Sequence, residues 1–251
     1  MATVAAPERS RQPWAAGAYD RVFYSGMAIA MALTVFAGFA PTFYLRSLFA
    51  APQTVTGAVS LSPLAQLHGA LFSAWVALFV VQTALVASHR VAVHRRLGVA
   101  GGVLAACMLL VGVTTAIKAA ARGSAPPGVD PLVFLAIPLF DMVLFAIFVT
   151  AALWWRRDKE AHKRLMLLAY VSIIVAAVAR LPGVLLLGPL GFFALAFVFL
   201  LFGMAYDLLS RRRVHPAYLW GGTLFVASVP LRLVISSTQS WRALAEFLVG
   251  M

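Results

Sequence analysis

The chain has 251 residues, 63% of them apolar and 11% charged, with 20 lysines and arginines against 8 aspartates and glutamates and a net charge of +12. Soluble domains are roughly 45–50% apolar and about 25% charged, so a water-soluble globular domain is excluded and a membrane protein is indicated. The cations punctuate apolar runs instead of gathering on a polar domain, and no aromatic RNA-binding motif accompanies them, which excludes a nucleic-acid partner. The one cysteine, Cys107, lies inside an apolar run and rules out an intrachain disulfide or a cysteine-based zinc or iron–sulfur site.

Residues 1–21 are polar, without an apolar core followed by a cleavage site, and are expected to form a flexible cytoplasmic tail. A spanning helix needs about 20 mainly apolar residues, and seven segments reach or approach that length: 22–45, 63–88, 97–117, 131–155, 165–181, 190–209 and 216–235. They define an all-α, polytopic bundle of seven transmembrane helices over 22–236, followed by a short C-terminal segment, 237–251. Alternate loops hold fourteen cations on the amino-terminal side (positions 9, 11, 21, 90, 95, 96, 156, 157, 159, 163, 164 and 211–213) against six elsewhere (46, 118, 122, 180, 232 and 242). Because cytoplasmic loops carry the excess, the amino terminus is expected inside and the carboxyl terminus outside, in a bacterial cytoplasmic membrane. That orientation is opposite to the G-protein-coupled receptors. A retinal protein needs a lysine in its last span, whereas the lysines here are Lys118, Lys159 and Lys163, all near loops.

Spans two to seven read as three hairpins closed by basic loops at 89–96, 156–164 and 210–215. Two share a phrase, His94-Arg95-Arg96-Leu97 and His162-Lys163-Arg164-Leu165, with a looser version ending in His215-Pro216, as a parallel duplication would leave. Gly98, Gly102 and Ala106 on span three, and Gly26 and Ala30 on span one, form small-residue stripes that permit close helix packing.

An ionisable side chain in hydrocarbon costs at least about 2.5–3.5 kcal/mol, so each asks for a partner or a role. Four residues qualify: His68 in span two, Asp141 in span four, and Arg180 and Arg232 toward the ends of spans five and seven. Asp207 is set apart, because it falls at a span end one turn before Arg211, where water and that cation both reach it. The four are expected to converge in the outer half of the bundle. Asp141 then pairs with Arg180 or Arg232, as a buried clasp or as part of a pocket whose spare positive charge favours an anionic or carbonyl-bearing lipid-like or quinone-like amphiphile. Pro138 and Pro230 stand beside them and free carbonyls that protein, water or ligand must satisfy. His68, Trp75, Gln82 and His89 recur every seven residues and share one face of span two, a polar stripe that either bonds to other helices or lines a path.

A haem b needs two imidazoles facing each other from different helices, and His94 with His162 is the best pair, each with an adjacent cation for propionates. Against it, both sit among loop charges, where His94, His162 and His215 read equally as interfacial anchors. No H-E-x-x-H zinc motif, G-x-S-x-G context for Ser73 or Ser172, phosphate-binding loop or dinucleotide fingerprint occurs, so no catalytic set is nominated.

Pro41-Thr42-Phe43-Tyr44-Leu45, Leu67-His68-Gly69, His94-Arg95-Arg96-Leu97-Gly98 and His162-Lys163-Arg164-Leu165-Met166 together resemble uncharacterised bacterial multispan membrane proteins that share such hairpins. The resemblance covers most of the chain and implies the topology, with no established activity. The expected function is binding of a lipid-like or quinone-like ligand, or service as a subunit of a membrane-protein complex. The alternatives are haem b electron transfer through His94 and His162, and proton-coupled transport with Asp141 as the proton site.

Overall fold

A computed structural model describes residues 19–49 and 61–250. The described residues form helices and connecting turns, with no strand among them: α1 (Asp20–Phe39), α2 (Pro63–Ala87), α3 (Val91–Ala121), α4 (Pro131–Phe134), α5 (Ala136–Trp154), α6 (Lys159–Val178), α7 (Gly188–Arg211), α8 (Pro216–Ser236) and α9 (Gln239–Gly250). Among them lie seven helices long and apolar enough to cross a membrane, the architecture of a multi-pass membrane protein. Arg9 and Arg11, counted for orientation, lie outside the described residues.

Short-range signals set several helix starts. Ser62 accepts a hydrogen bond from the Ala65 amide at 3.2 Å ahead of Pro63, and Asp130 accepts from the Leu132 amide at 2.7 Å ahead of Pro131. Asp158 accepts from the amides of Glu160 and Ala161 at 2.9 and 3.1 Å. Each side-chain acceptor satisfies amides that have no intrahelical partner, and proline at the first helical position loses nothing. Two starts differ from the hydropathy reading: α3 begins at Val91 instead of 97, and α6 at Lys159 instead of 165. A hydropathy window stops at the first cations, but the helical backbone does not. His94 and His162 therefore belong to first turns of helices, and Arg164 to the second turn of α6, and not to loops.

Helices α1, α2, α3, α5 and α6 pack in that order as a closed ring, and α5, α6, α7 and α8 form a second ring that shares α5 and α6. Helix α6 is the hub, with Leu165, Leu168, Tyr170, Ile174 and Val178 all buried. The outward faces are apolar, with Leu33, Val99, Leu110 and Leu201 exposed, as lipid contact requires. Contacts of Asp20 with Lys163 and Arg211 place the start of α1 beside the start of α6 and the end of α7, at what we call the basic end. At the far end the C-terminal segment forms α9, an amphipathic helix whose Trp241 indole donates to the Leu132 carbonyl at 2.8 Å.

The close-packing glycines are not the expected ones. Gly26 has open space around it, and Gly98 and Gly102 meet only the ends of Gln82 and Leu153 at 3.7 and 3.9 Å. The buried stripe on α3 is instead Gly101, Ala105, Met108 and Gly112, where a Cβ at Gly112 would meet Met142 Sδ at 2.6 Å. On α1 the contact is Gly38, where a Cβ would collide with the main-chain carbonyl of Ala177 on α6. A carbonyl in the hub helix cannot yield as a side-chain tip can. Gly38→Ala is expected to cost about 1–3 kcal/mol through overpacking, while Gly26→Ala leaves the protein at wild-type stability or slightly above. Thermal unfolding in detergent checks the pair, and equal melting of Gly38→Ala and wild type would contradict this packing.

Candidate functional site

The buried charges fall into two groups. At the basic end Arg164, 0% exposed, donates through Nε to Asp207 Oδ2 at 2.8 Å and through Nη2 to the other oxygen of that carboxylate. Its Nη1 donates to the Glu160 carbonyl at 2.7 Å and to Oε2 at 2.8 Å. Asp20 accepts from Lys163 at 2.6 Å, from Arg211 at 2.7 and 2.8 Å and from the Tyr206 hydroxyl at 2.7 Å. Three cations thus face three carboxylates drawn from α1, α6 and α7. Asp207, expected to be wet and answered by Arg211, is fully buried; its principal partner is Arg164, with Arg211 3.5 Å away. The cation counted as a loop charge is the one that α6 carries into the core. His215 is buried too: its amide donates to Asp207 at 3.1 Å, and its Nδ1 accepts from the Ala217 amide at 3.1 Å to cap α8. Burial, and then the nearby Arg164 charge, hold its imidazole below the usual histidine range.

Toward the far end, the four residues expected to share one patch separate into two pairs. Asp141 accepts from Arg232 Nη1 at 2.6 Å. Arg232 also bonds Ser228 through its carbonyl and hydroxyl at 3.2 and 2.9 Å, and its guanidinium lies 4.6 Å from the Phe193 ring centre. A fourth donation, at 3.4 Å, reaches the Ile137 carbonyl just before Pro138. Charge, donors and aromatic faces are all used here, which makes this pair a clasp between α5 and α8.

Arg180 and His68 lie elsewhere, between α1, α2 and α6. The Arg180 guanidinium donates to the Ala176 carbonyl at 2.6 Å and stacks 4.6 Å from the Phe39 ring centre, and no ion pair to it occurs among the described residues. Its charge acts on the His68 imidazole, which stacks on Phe72 at 4.1 Å and leaves its buried Nδ1 without a hydrogen bond. Pro41 lacks the amide that would continue α1, and the chain there widens into a π-helical turn, Ala40–Tyr44. That turn presses Phe43 onto Gly69, brings Tyr44 within 2.8 Å of Ser73 Oγ and buries Thr42 Oγ1 without a partner. The fully buried Tyr170 of α6 lies within electrostatic reach of Tyr44, and its hydroxyl is also unpaired.

The histidine pair proposed from the sequence does meet. The rings of His94 and His162 stand 6.3 Å apart at 86°. His162 Nδ1 lies 2.8 Å from the Ala152 carbonyl, and the Gln82 amide nitrogen, once turned, donates to His94 Nδ1 at 2.8 Å. The heptad stripe on α2 therefore has separate uses: His68 at the far-end cluster, Trp75 buried with an unpaired indole nitrogen, Gln82 on His94, and His89 exposed in the turn.

Ser73 donates to the Gly69 carbonyl at 2.7 Å and Ser172 to the Ala169 carbonyl at 2.8 Å, bonds that hold a hydroxyl to its own helix without activating it. Phe39 and Tyr170 were not singled out from the sequence, and Thr42, Tyr44 and Ser73 were not placed with His68 or Arg180; Pro41 inside an apolar span was the signal that could have drawn attention to Phe39, Thr42 and Tyr44. No protein-family model, curated protein or solved structure matches the chain.

Proposed function

We propose that the protein is a non-catalytic bundle of a bacterial cytoplasmic membrane, basic end inward, that binds the headgroup of a lipid-like or quinone-like amphiphile between α1, α2 and α6. The observation that carries this reading is Arg180, a cation stacked on Phe39 with no ion pair among the described residues, together with the unpaired buried polar atoms of His68, which stacks on Phe72, and of Thr42 in the turn that follows Phe39. Polar groups removed from water without partners are costly, and a phosphate, carboxylate or quinone carbonyl offers the acceptors that a guanidinium and an imidazole lack. Arg232, the other cation weighed for this role, is already committed to Asp141. A proton-coupled transporter would draw on Asp141, whose carboxylate that same pair occupies.

Native mass spectrometry of protein in mild detergent tests the reading, with phosphatidylglycerol and a short-chain benzoquinone added separately. A hydrogen bond to a charged group is worth about 1.5–3 kcal/mol, so Arg180→Gln is expected to weaken retention of the bound amphiphile roughly 10- to 100-fold. Equal retention of both probes by wild type and Arg180→Gln would remove this reading.

A further inference from the structure

We propose that His94 and His162 jointly coordinate one first-row transition-metal centre at the basic end, a site separate from the Arg180 and His68 cluster and not dependent on it. The two imidazoles come from the first turns of α3 and α6, where the duplicated His-Arg/Lys-Arg-Leu phrase places them in equivalent positions. Their ring centres are 6.3 Å apart. Two metal–nitrogen bonds of about 2 Å each, with a ring radius added at either end, span about that distance. That sum holds when the two bonds are collinear, so the spacing suits a centre that takes the two Nε2 atoms as trans ligands and not a tetrahedral ion.

The remaining ring nitrogen of His162 is held as a metal ligand requires, and that of His94 is set by Gln82. His162 Nδ1 faces the Ala152 carbonyl at 2.8 Å, an acceptor, so Nδ1 carries the proton and Nε2 keeps its lone pair. Ligating histidines are commonly oriented by such a bond to a backbone carbonyl. His94 Nδ1 faces the side-chain amide of Gln82. With its nitrogen turned inward that amide donates to Nδ1 at 2.8 Å and to the His94 carbonyl at 3.3 Å. With its oxygen inward it accepts the Nδ1 proton, which leaves Nε2 free to bind metal. The nitrogen-inward orientation also lets the amide oxygen accept from the Gly98 amide at 3.1 Å, so metal binding at His94 Nε2 has to turn Gln82 over and give up that bond.

The donor set narrows the occupant. No group of three or more metal-ligating His, Cys, Asp or Glu side chains occurs among the described residues, so the pair stands without a third protein ligand. A structural zinc site takes four. The other positions must go to donors from outside the chain, either the ring nitrogens of a haem or water on a bare ion. Arg95 and Arg96, exposed next to His94, supply charge for the carboxylates of a macrocycle. Lys163, expected to share that task, is held by Asp20 and Glu160.

The experiment uses the full chain in mild detergent, from cells grown with a haem precursor, with a visible spectrum and elemental metal analysis on the same preparation. A chelator-treated portion is titrated separately with haem, Zn(II) and Cu(II). The expected result is a single centre per chain, weakened more than about tenfold by His94→Ala and by His162→Ala. It is unchanged in His89→Asn, where the histidine sits exposed in the neighbouring turn. A low-spin spectrum with a Soret band assigns the macrocycle; stoichiometric metal without that band assigns the ion. His94→Gln and His162→Gln, compared with wild type by circular dichroism, replace any alanine variant that fails to fold. Absence of both haem and ion from folded wild type, or wild-type binding in either folded histidine variant, would overturn the proposal.

Discussion

Arg164→Met is expected to destabilise the protein by about 3–5 kcal/mol, because removing one member of a buried pair leaves the other charge without compensation. Asp207 is fully buried and takes both of its principal charge-assisted bonds from Arg164; Arg211 stands 3.5 Å from one oxygen and already serves Asp20. Thermal unfolding in detergent reads the effect. Arg164→Lys is expected to fall close to methionine, since an ammonium cannot reproduce the two-pronged contact with Asp207 while also reaching Glu160. The double variant Arg164→Met, Asp207→Leu is expected to recover much of the loss, because it removes both desolvated charges together. A double variant as unstable as the single would show that the charges matter through the wider network, which ties in Glu160, Lys163 and Asp20.

The second large effect is expected at the other clasp. Arg232→Met strands the Asp141 carboxylate between α5 and α8 and is expected to cost about 3–5 kcal/mol, with partial recovery in Arg232→Met, Asp141→Leu. Ser228→Ala removes one supporting bond of 2.9 Å and is expected to cost about 1 kcal/mol. The comparison that matters is with Arg180→Gln. That residue forms no ion pair among the described residues, so its replacement is expected to change ligand retention while melting moves little. Arg232→Met is expected to show the reverse. Melting and native mass spectra on the two variants would separate a fastening from a binding residue, and identical profiles would contradict the division of these four polar residues into two pairs.

Much of this was open to the one-dimensional reading, for simple reasons. A helix satisfies its own backbone in hydrocarbon, so seven apolar runs of about 20 residues read as seven helices able to cross a membrane, and Ser62-Pro63, Asp130-Pro131 and His215-Pro216 mark where three of them start. The Asp141 clasp was legible as well, because a carboxylate and a guanidinium in apolar spans have few other ways to be tolerated.

What the amino-acid order could not settle is which partner each buried group takes, since that depends on helix rotation and neighbour order. Hydropathy reads Arg164 as one more loop cation, yet α6 starts six residues earlier than its apolar run and carries that charge to Asp207 in the core. Gly26 and Gly38 look alike along the chain, but only Gly38 faces the hub helix. His94 and His162 were paired on the likeness of their surroundings; that their rings stand within one metal's span of each other follows from how α3 and α6 pack about α5. Sequence fixes what must leave lipid or water, because transfer energies belong to single residues. Tertiary packing decides which groups satisfy one another, because hydrogen bonds and ion pairs hold only over a few ångströms and in the right direction.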